Sequence, residues 1–210
     1  MRWIRAIVLN CAALILPAWI EPEFLTHAQP WILVCIGVLA TVFQPEHSPV
    51  GTQRTAEDQW TANQILFSIY AVQTSALVEA TWCRYPESMD WNAWALAGLL
   101  MMLLGLGLRT WAVRTLGKFF TWHVELQHDQ TVITHGPYRW VRHPSYTGAL
   151  MTWAFTTIFL QAWHAALLAL VLLPFAFWRR IHHEEKLLRA DLKDYDDYAK
   201  SVKALIPGVL

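Results

Sequence analysis

Charge is what this chain has least of. Only 15% of its 210 residues are charged, against about 25% in soluble domains, and its 16 basic and 16 acidic residues cancel. With no basic excess, and no basic stripe interleaved with aromatics, nucleic acid is excluded as a partner. Cysteine is scarce too: Cys11, Cys35 and Cys83 are odd in number, far apart and inside apolar runs. Without CxxC spacing they are expected to be small core residues. The histidines supply no HExxH. His123 and His128 stand in one polar segment, His182 and His183 in another, with no cysteine beside them, which argues against a metal. No strand precedes Gly105 and Gly107, so their GLG reads as small-residue helix packing and not as a nucleotide loop. Repeats, low-complexity blocks and glycine/serine linkers are missing, so residues 1–210 are expected to form one domain.

Apolar surface is what the chain has in excess. It is 55% hydrophobic with a mean hydropathy of +0.28. A membrane-crossing helix needs roughly 20 mostly apolar residues, and four runs come close: 4–20, 30–43, 62–82 and 93–113. A fifth, 146–178, is broken only by the QAWH at Gln161 to His164, which suits two helices joined as a hairpin. Ten of the 13 tryptophans, among them Trp19, Trp82, Trp94 and Trp178, fall near the ends of these runs, where indoles favour the membrane interface. The first run could instead be a signal peptide, but no small-x-small cleavage site follows it.

The pattern predicts an all-α integral membrane protein of five to six transmembrane helices, the last two forming a hairpin. Residues 1–113 would hold four apolar helices, and residues 114–210 a polar loop, the hairpin and an amphipathic C-terminal helix. Arg2 and Arg5 precede the first run, while Arg114, Lys118, Arg139, Arg142, Arg179 and Arg180 gather between and after the later ones. By the positive-inside rule the N-terminus, the loop 114–143 and the tail face the cytoplasm, and six crossings agree with that parity. The connection 83–91, with only Arg84, falls outside. The tail is expected to continue from the last span as a helix with an apolar stripe at Ile181, Leu188, Leu192 and Tyr195, ended by Pro207. The stripe would pack on the loop or lie in the lipid interface.

Two polar segments carry chemistry. In VITHGPYRWVRHPSYTGAL, Gly136-Pro137 marks a turn and Pro144 a helix start, because proline at the first helical position loses no bonded N–H. Arg142 and His143 beside that start could hold a carboxylate, or simply form a topology-setting basic flank. In RRIHHEEKLL, Arg180 and Glu184 share a helix face. They make an ion pair, or a cation-holding acid beside an apolar stripe.

The run LGKFFTWHVELQHDQTVITHGPYRWVRHPSYTGAL, followed by RRIHHEEKLL and YDDYAKSVKALIP, resembles the isoprenylcysteine carboxyl methyltransferase family of integral membrane enzymes. The resemblance covers Leu116 to Pro207. GPYRWVRHPSYTG alone is also similar to phospholipid N-methyltransferases and, more loosely, to sterol reductases. The resemblance implies S-adenosylmethionine bound on the cytoplasmic side of a bacterial inner membrane or endoplasmic reticulum. The acceptor would be a lipid or lipidated substrate entering from the membrane lipids. Cofactor contacts carried over are His123, Gln130, Thr131, Val132, Ile133, Tyr138, His143, Pro144, Ser145, Tyr146 and Glu184, with Arg180 matching the substrate arginine; Arg180 and Glu184 form the catalytic pair. Gln130 stands where the family has histidine, and ADLKDY is one residue short, which leaves Glu184 and Glu185 as alternatives. An ionised carboxylate acceptor needs no general base, whereas an amine acceptor would need one, with Glu185 or His183 as candidates. A phospholipid or other lipid-amine N-methyltransferase is the alternative. An NAD(P)H-dependent membrane reductase or a non-catalytic membrane protein is less well supported, and oligomeric state is left open.

Overall fold

Apolar runs with no water to bond must satisfy their backbone internally, and helices do so within one segment. The computed structural model describes residues 2–43, 60–121 and 129–208, and among these the regular structure is helical throughout. The first run is divided into α1 (Arg2–Ala12) and α2 (Ile15–Ile20). Pro17 explains the break, since it has no N–H for the carbonyl of Ala13 and its ring crowds that carbonyl. α3 spans Ala28–Val42 and α4 spans Thr61–Val78, continued by a π turn over Glu79–Cys83. The 24-residue α5 (Ala93–Leu116) is capped by the side chain of Asn92 and stopped at Gly117, whose φ is 54°. The polar loop therefore starts after Leu116, a turn later than its charges imply.

α6 (Pro144–Phe159) begins at the expected proline. A short turn leads into α7 (Trp163–Asp191), so the two form the anticipated hairpin. In that turn Gln161 takes a φ of 53°, and its side chain donates to the carbonyls of Glu87 and Asp90 while accepting from Asn92. The buried Glu79 caps α7 by accepting from the backbone N–H groups of His164 and Ala165, at 3.1 and 2.8 Å.

α5 and α6 meet backbone to backbone. A Cβ on Gly105 would lie 2.7 Å from the Gly148 carbonyl, and one on Gly148 would lie 2.6 Å from the Arg109 nitrogen. Gly105 thus has the packing role expected of GLG, while nothing lies within 4 Å of a Cβ on Gly107. α4 joins this pair through a core of Val72, Ala149, Ala169, Leu173 and Phe177.

The tail departs from expectation. α7 ends at Asp191, the chain turns, and a short α8 (Tyr195–Ser201) precedes an extended segment that bridges Lys203 to Val141. Pro207 lies beyond all of this. Leu188, Leu192 and Tyr195 face a cleft under the loop, so the stripe packs on protein. The cysteines also differ: Cys35 and Cys83 are exposed and Cys11 is half-buried.

Among the described residues two helices are long and apolar enough to cross a membrane, Ala93–Phe119 and Trp163–Asp191. Both carry apolar side chains on the outside as well as the inside. Leu100, Leu104, Leu170 and Val171 are exposed, as are Trp19 at 81% and Trp82 at 74%. Apolar residues on every face suit lipid better than water.

Candidate functional site

The site forms where the loop, the start of α6, the end of α7 and the tail converge. Gly136-Pro137 opens a short 3-10 turn over Gly136–Arg139 that buries Tyr138. The C-terminal segment then lies against the next residues. The N–H groups of Arg142 and His143 donate to the carbonyls of Lys203 and Ala204 at 2.8 and 2.9 Å. Thr147 Oγ1 donates to the Leu205 carbonyl at 2.8 Å, and Tyr198 Oη donates to the Tyr138 carbonyl at 2.6 Å. From the other side, the buried Arg109 of α5 donates to the Ser145 carbonyl at 3.0 Å. The start of α6 is held by two elements distant in sequence, the C-terminal segment and α5.

The two adjacent glutamates are separated by their partners. Glu185 accepts from Arg142 Nε at 2.8 Å, lies 2.7 Å from Arg142 Nη2 and 3.1 Å from His143 Nε2, and meets Arg189 at 3.3 Å. Burial alone would raise its carboxyl, but the bonds from His143 and Arg142 outweigh that and hold it at about 2. The apolar part of α7 ends at Trp178, so this pairing sits beyond the part that would lie in lipid. The anion that Arg142 and His143 hold is thus Glu185 of the same chain.

Glu184 points the other way. It accepts from Tyr146 Oη at 2.5 Å, and that oxygen accepts from Arg180 Nε at 3.0 Å. Arg180 Nε is 3.9 Å from Glu184 itself. The expected ion pair is therefore mediated mainly by a tyrosine hydroxyl. His143 stacks on the Tyr146 ring at 5.5 Å with an interplanar angle of 11°, and its Nδ1 lies 4.0 Å from Glu184.

His143, Tyr146, Arg180 and Glu184 line one cleft, open at its mouth. Gln130, Thr131, Val132, Ile133, Tyr138, His143, Ser145, Tyr146, Arg180 and Glu184 all contribute to its wall. Pro144 is buried and starts α6 without lining the cleft, and His123 lies outside the described residues. Leu116, Phe119, Phe120, Leu188 and Leu192 supply an apolar side. Their role was invisible in composition, although the stripe containing Leu188 and Leu192 was legible. Burial pushes Tyr138 and Tyr195 well above the ordinary phenol range and Tyr198 up to about 12. These phenols stay neutral near pH 7. Among the described residues no cluster of three or more histidine, cysteine or acidic side chains could hold a metal.

Residues 96–190 match the isoprenylcysteine carboxyl methyltransferase family. A rice protein named probable protein-S-isoprenylcysteine O-methyltransferase is 32% identical over 178 residues, covering 82% of this chain and 88% of that protein. The protein-S-isoprenylcysteine O-methyltransferase of Dictyostelium discoideum is 32% identical over 132 residues, covering 61% of this chain and 55% of its own length. The Xenopus laevis protein of that name is 35% identical over 132 residues, covering 60% and 44%.

Proposed function

Because the chain belongs to the isoprenylcysteine carboxyl methyltransferase family and is a methyltransferase, we propose that it esterifies the carboxylate of a prenylated cysteine at the membrane surface. The observation that carries this reading is the single cleft in which Arg180 and Glu184, one helical turn apart, are joined by the Tyr146 hydroxyl. When bound, S-adenosylmethionine supplies an electrophilic methyl group. The cleft suits that donor: Glu184 would hold its ammonium and Tyr138 and Tyr146 its adenine, with the 130–133 strip beside them. Gln130, Thr131, Val132, Ile133, His143, Ser145 and Glu184 serve as cofactor contacts in this reading.

Arg180 would grip the acceptor carboxylate and align it. That carboxylate is ionised near pH 7, so no proton needs to be removed. A lipid-amine acceptor would need a base, and Glu185, held at about 2 by His143 and Arg142, accepts a proton poorly. The apolar wall of the cleft excludes water from the approaching charges.

The described helices support a multi-pass arrangement. In this reading α1 with α2, then α3, α4, α5, α6 and α7 would make six crossings, which would return the loop and the tail to the side of the N-terminus. By the basic residues that side is the cytoplasm.

To test the reading, membranes carrying the protein are given labelled methyl donor with either a farnesyl-cysteine analogue or phosphatidylethanolamine. Base-labile label on the farnesyl-cysteine analogue is expected. Label found only as base-stable methylamine would overturn ester formation.

A further inference from the structure

The family match begins at residue 96, so α4 lies outside it, yet the first turn of α4 reaches the site. Thr61 is fully buried and accepts from Arg180 Nη1 at 3.0 Å. One turn later Gln64 accepts from the neighbouring Arg179 at 2.5 Å. Successive residues on a helix point in directions about 100° apart, so α4 receives the two arginines at two places. Arg180 is turned into the cleft, where it is 3% exposed. The core of Val72, Leu173 and Phe177 fixes α4 against α7, which holds Thr61 in register with Arg180.

We propose that Thr61 is a positioning residue for the methyl acceptor, acting through Arg180. An arginine side chain is long and rotamer-rich, and a bidentate grip on a carboxylate works only in one orientation of its plane. Tyr146 holds Nε at 3.0 Å and Thr61 holds Nη1 at 3.0 Å, so two helices set that plane between them. Thr61 does this with a hydroxyl, which orients a guanidinium without neutralising it. A carboxylate at the same place would compete with an acidic acceptor. The chain's first half, which carries no motif, thereby completes the acceptor end of the site.

This inference rests on Arg180 binding the acceptor, and its test separates the two claims. Wild type, Thr61→Val and Thr61→Ser are purified in detergent. Each is assayed with a farnesyl-cysteine analogue, and S-adenosylmethionine binding is measured by calorimetry. Thr61→Val is expected to raise the acceptor KM roughly tenfold, from the loss of a hydrogen bond to a charged group, and to lower the melting temperature because Arg180 Nη1 stays buried without that bond, with cofactor affinity close to wild type. Thr61→Ser restores the KM. Should Thr61→Val yield no folded protein, Thr61→Ala carries the same expectation. An unchanged acceptor KM in an active wild-type background, or an equal loss of acceptor and cofactor binding that serine does not restore, overturns the role of Thr61 alone. A wild type that esterifies no farnesyl-cysteine analogue overturns the functional reading, and the role of Thr61 falls with it.

Discussion

Glu184 and Glu185 have the same side chain, and their partners give them opposite roles. Glu185 is engaged by Arg142, His143 and Arg189 and holds the tail to the loop, whereas Glu184 faces the cleft through Tyr146. Glu184→Gln is expected to weaken S-adenosylmethionine binding about tenfold or more by calorimetry, since it removes a charge that would pair with an ammonium, while the melting temperature stays near wild type. Glu185→Gln should do the reverse, lowering stability with less effect on cofactor affinity in the protein that remains folded. The sign of its pH dependence follows from its depressed carboxyl. The stabilisation is fully present above about 4.5 and is lost as pH falls toward about 2. Thermal unfolding across that window should show a steeper acid loss in wild type than in Glu185→Gln, and parallel curves would contradict the pairing. Arg180→Ala should mainly raise the acceptor requirement, read as KM against cofactor Kd. The spacing that puts Arg180 and Glu184 on one helix face was legible because helical period is local. The choice between the two glutamates was not, because it depends on His143, 42 residues away.

At the scale of elements, the start of α6 is the part on which the site depends most. Pro144 announces it in the sequence, but what holds it is the close approach of α5 at Gly105 and Gly148, the Arg109 bond to Ser145, and the returning tail. Gly148→Ala would place a methyl group 2.6 Å from backbone atoms of α5, where neither helix can yield cheaply. Its expected cost is about 1–3 kcal/mol, measured as a lower melting temperature in detergent, together with weaker cofactor binding because the α6 start would shift. A variant with wild-type stability would show that the helices are less tightly apposed than described. The hairpin of α6 and α7 could be read from one long apolar run with a polar break. The tail folds differently from its pattern for a physical reason: its apolar stripe has helical period up to Tyr195, but Leu192 leaves the helix with φ −108° and ψ 107°. The cleft and the loop take up Leu188, Leu192 and Tyr195 across that turn, so continuing as one helix to Pro207 was unnecessary.

For the whole molecule, α5 sets the distance between the site and the opposite end. Its 24 residues extend about 36 Å, from the turn region near Asn92 to Leu116 at the cleft. Ser201 in the tail and Cys83 at the end of the π turn should therefore lie on opposite sides of a bilayer. With Cys11, Cys35 and Cys83 replaced by serine, Ser201→Cys is expected to react with a membrane-impermeant maleimide only from the cytoplasmic side. A variant keeping Cys83 alone should react only from the other side, and labelling of both from one side would contradict the six-crossing arrangement. Apolar excess, helical periods, the basic bias of the loops and the paired motifs of the second half are properties of short stretches. The sequence alone therefore determined a helical, lipid-suited chain of this methyltransferase family. Which acid faces the cleft, how the tail folds back, and that Thr61 of α4 meets Arg180 were decided only by tertiary structure. These are contacts between segments far apart in the chain, set by how helices pack, and no local pattern encodes them.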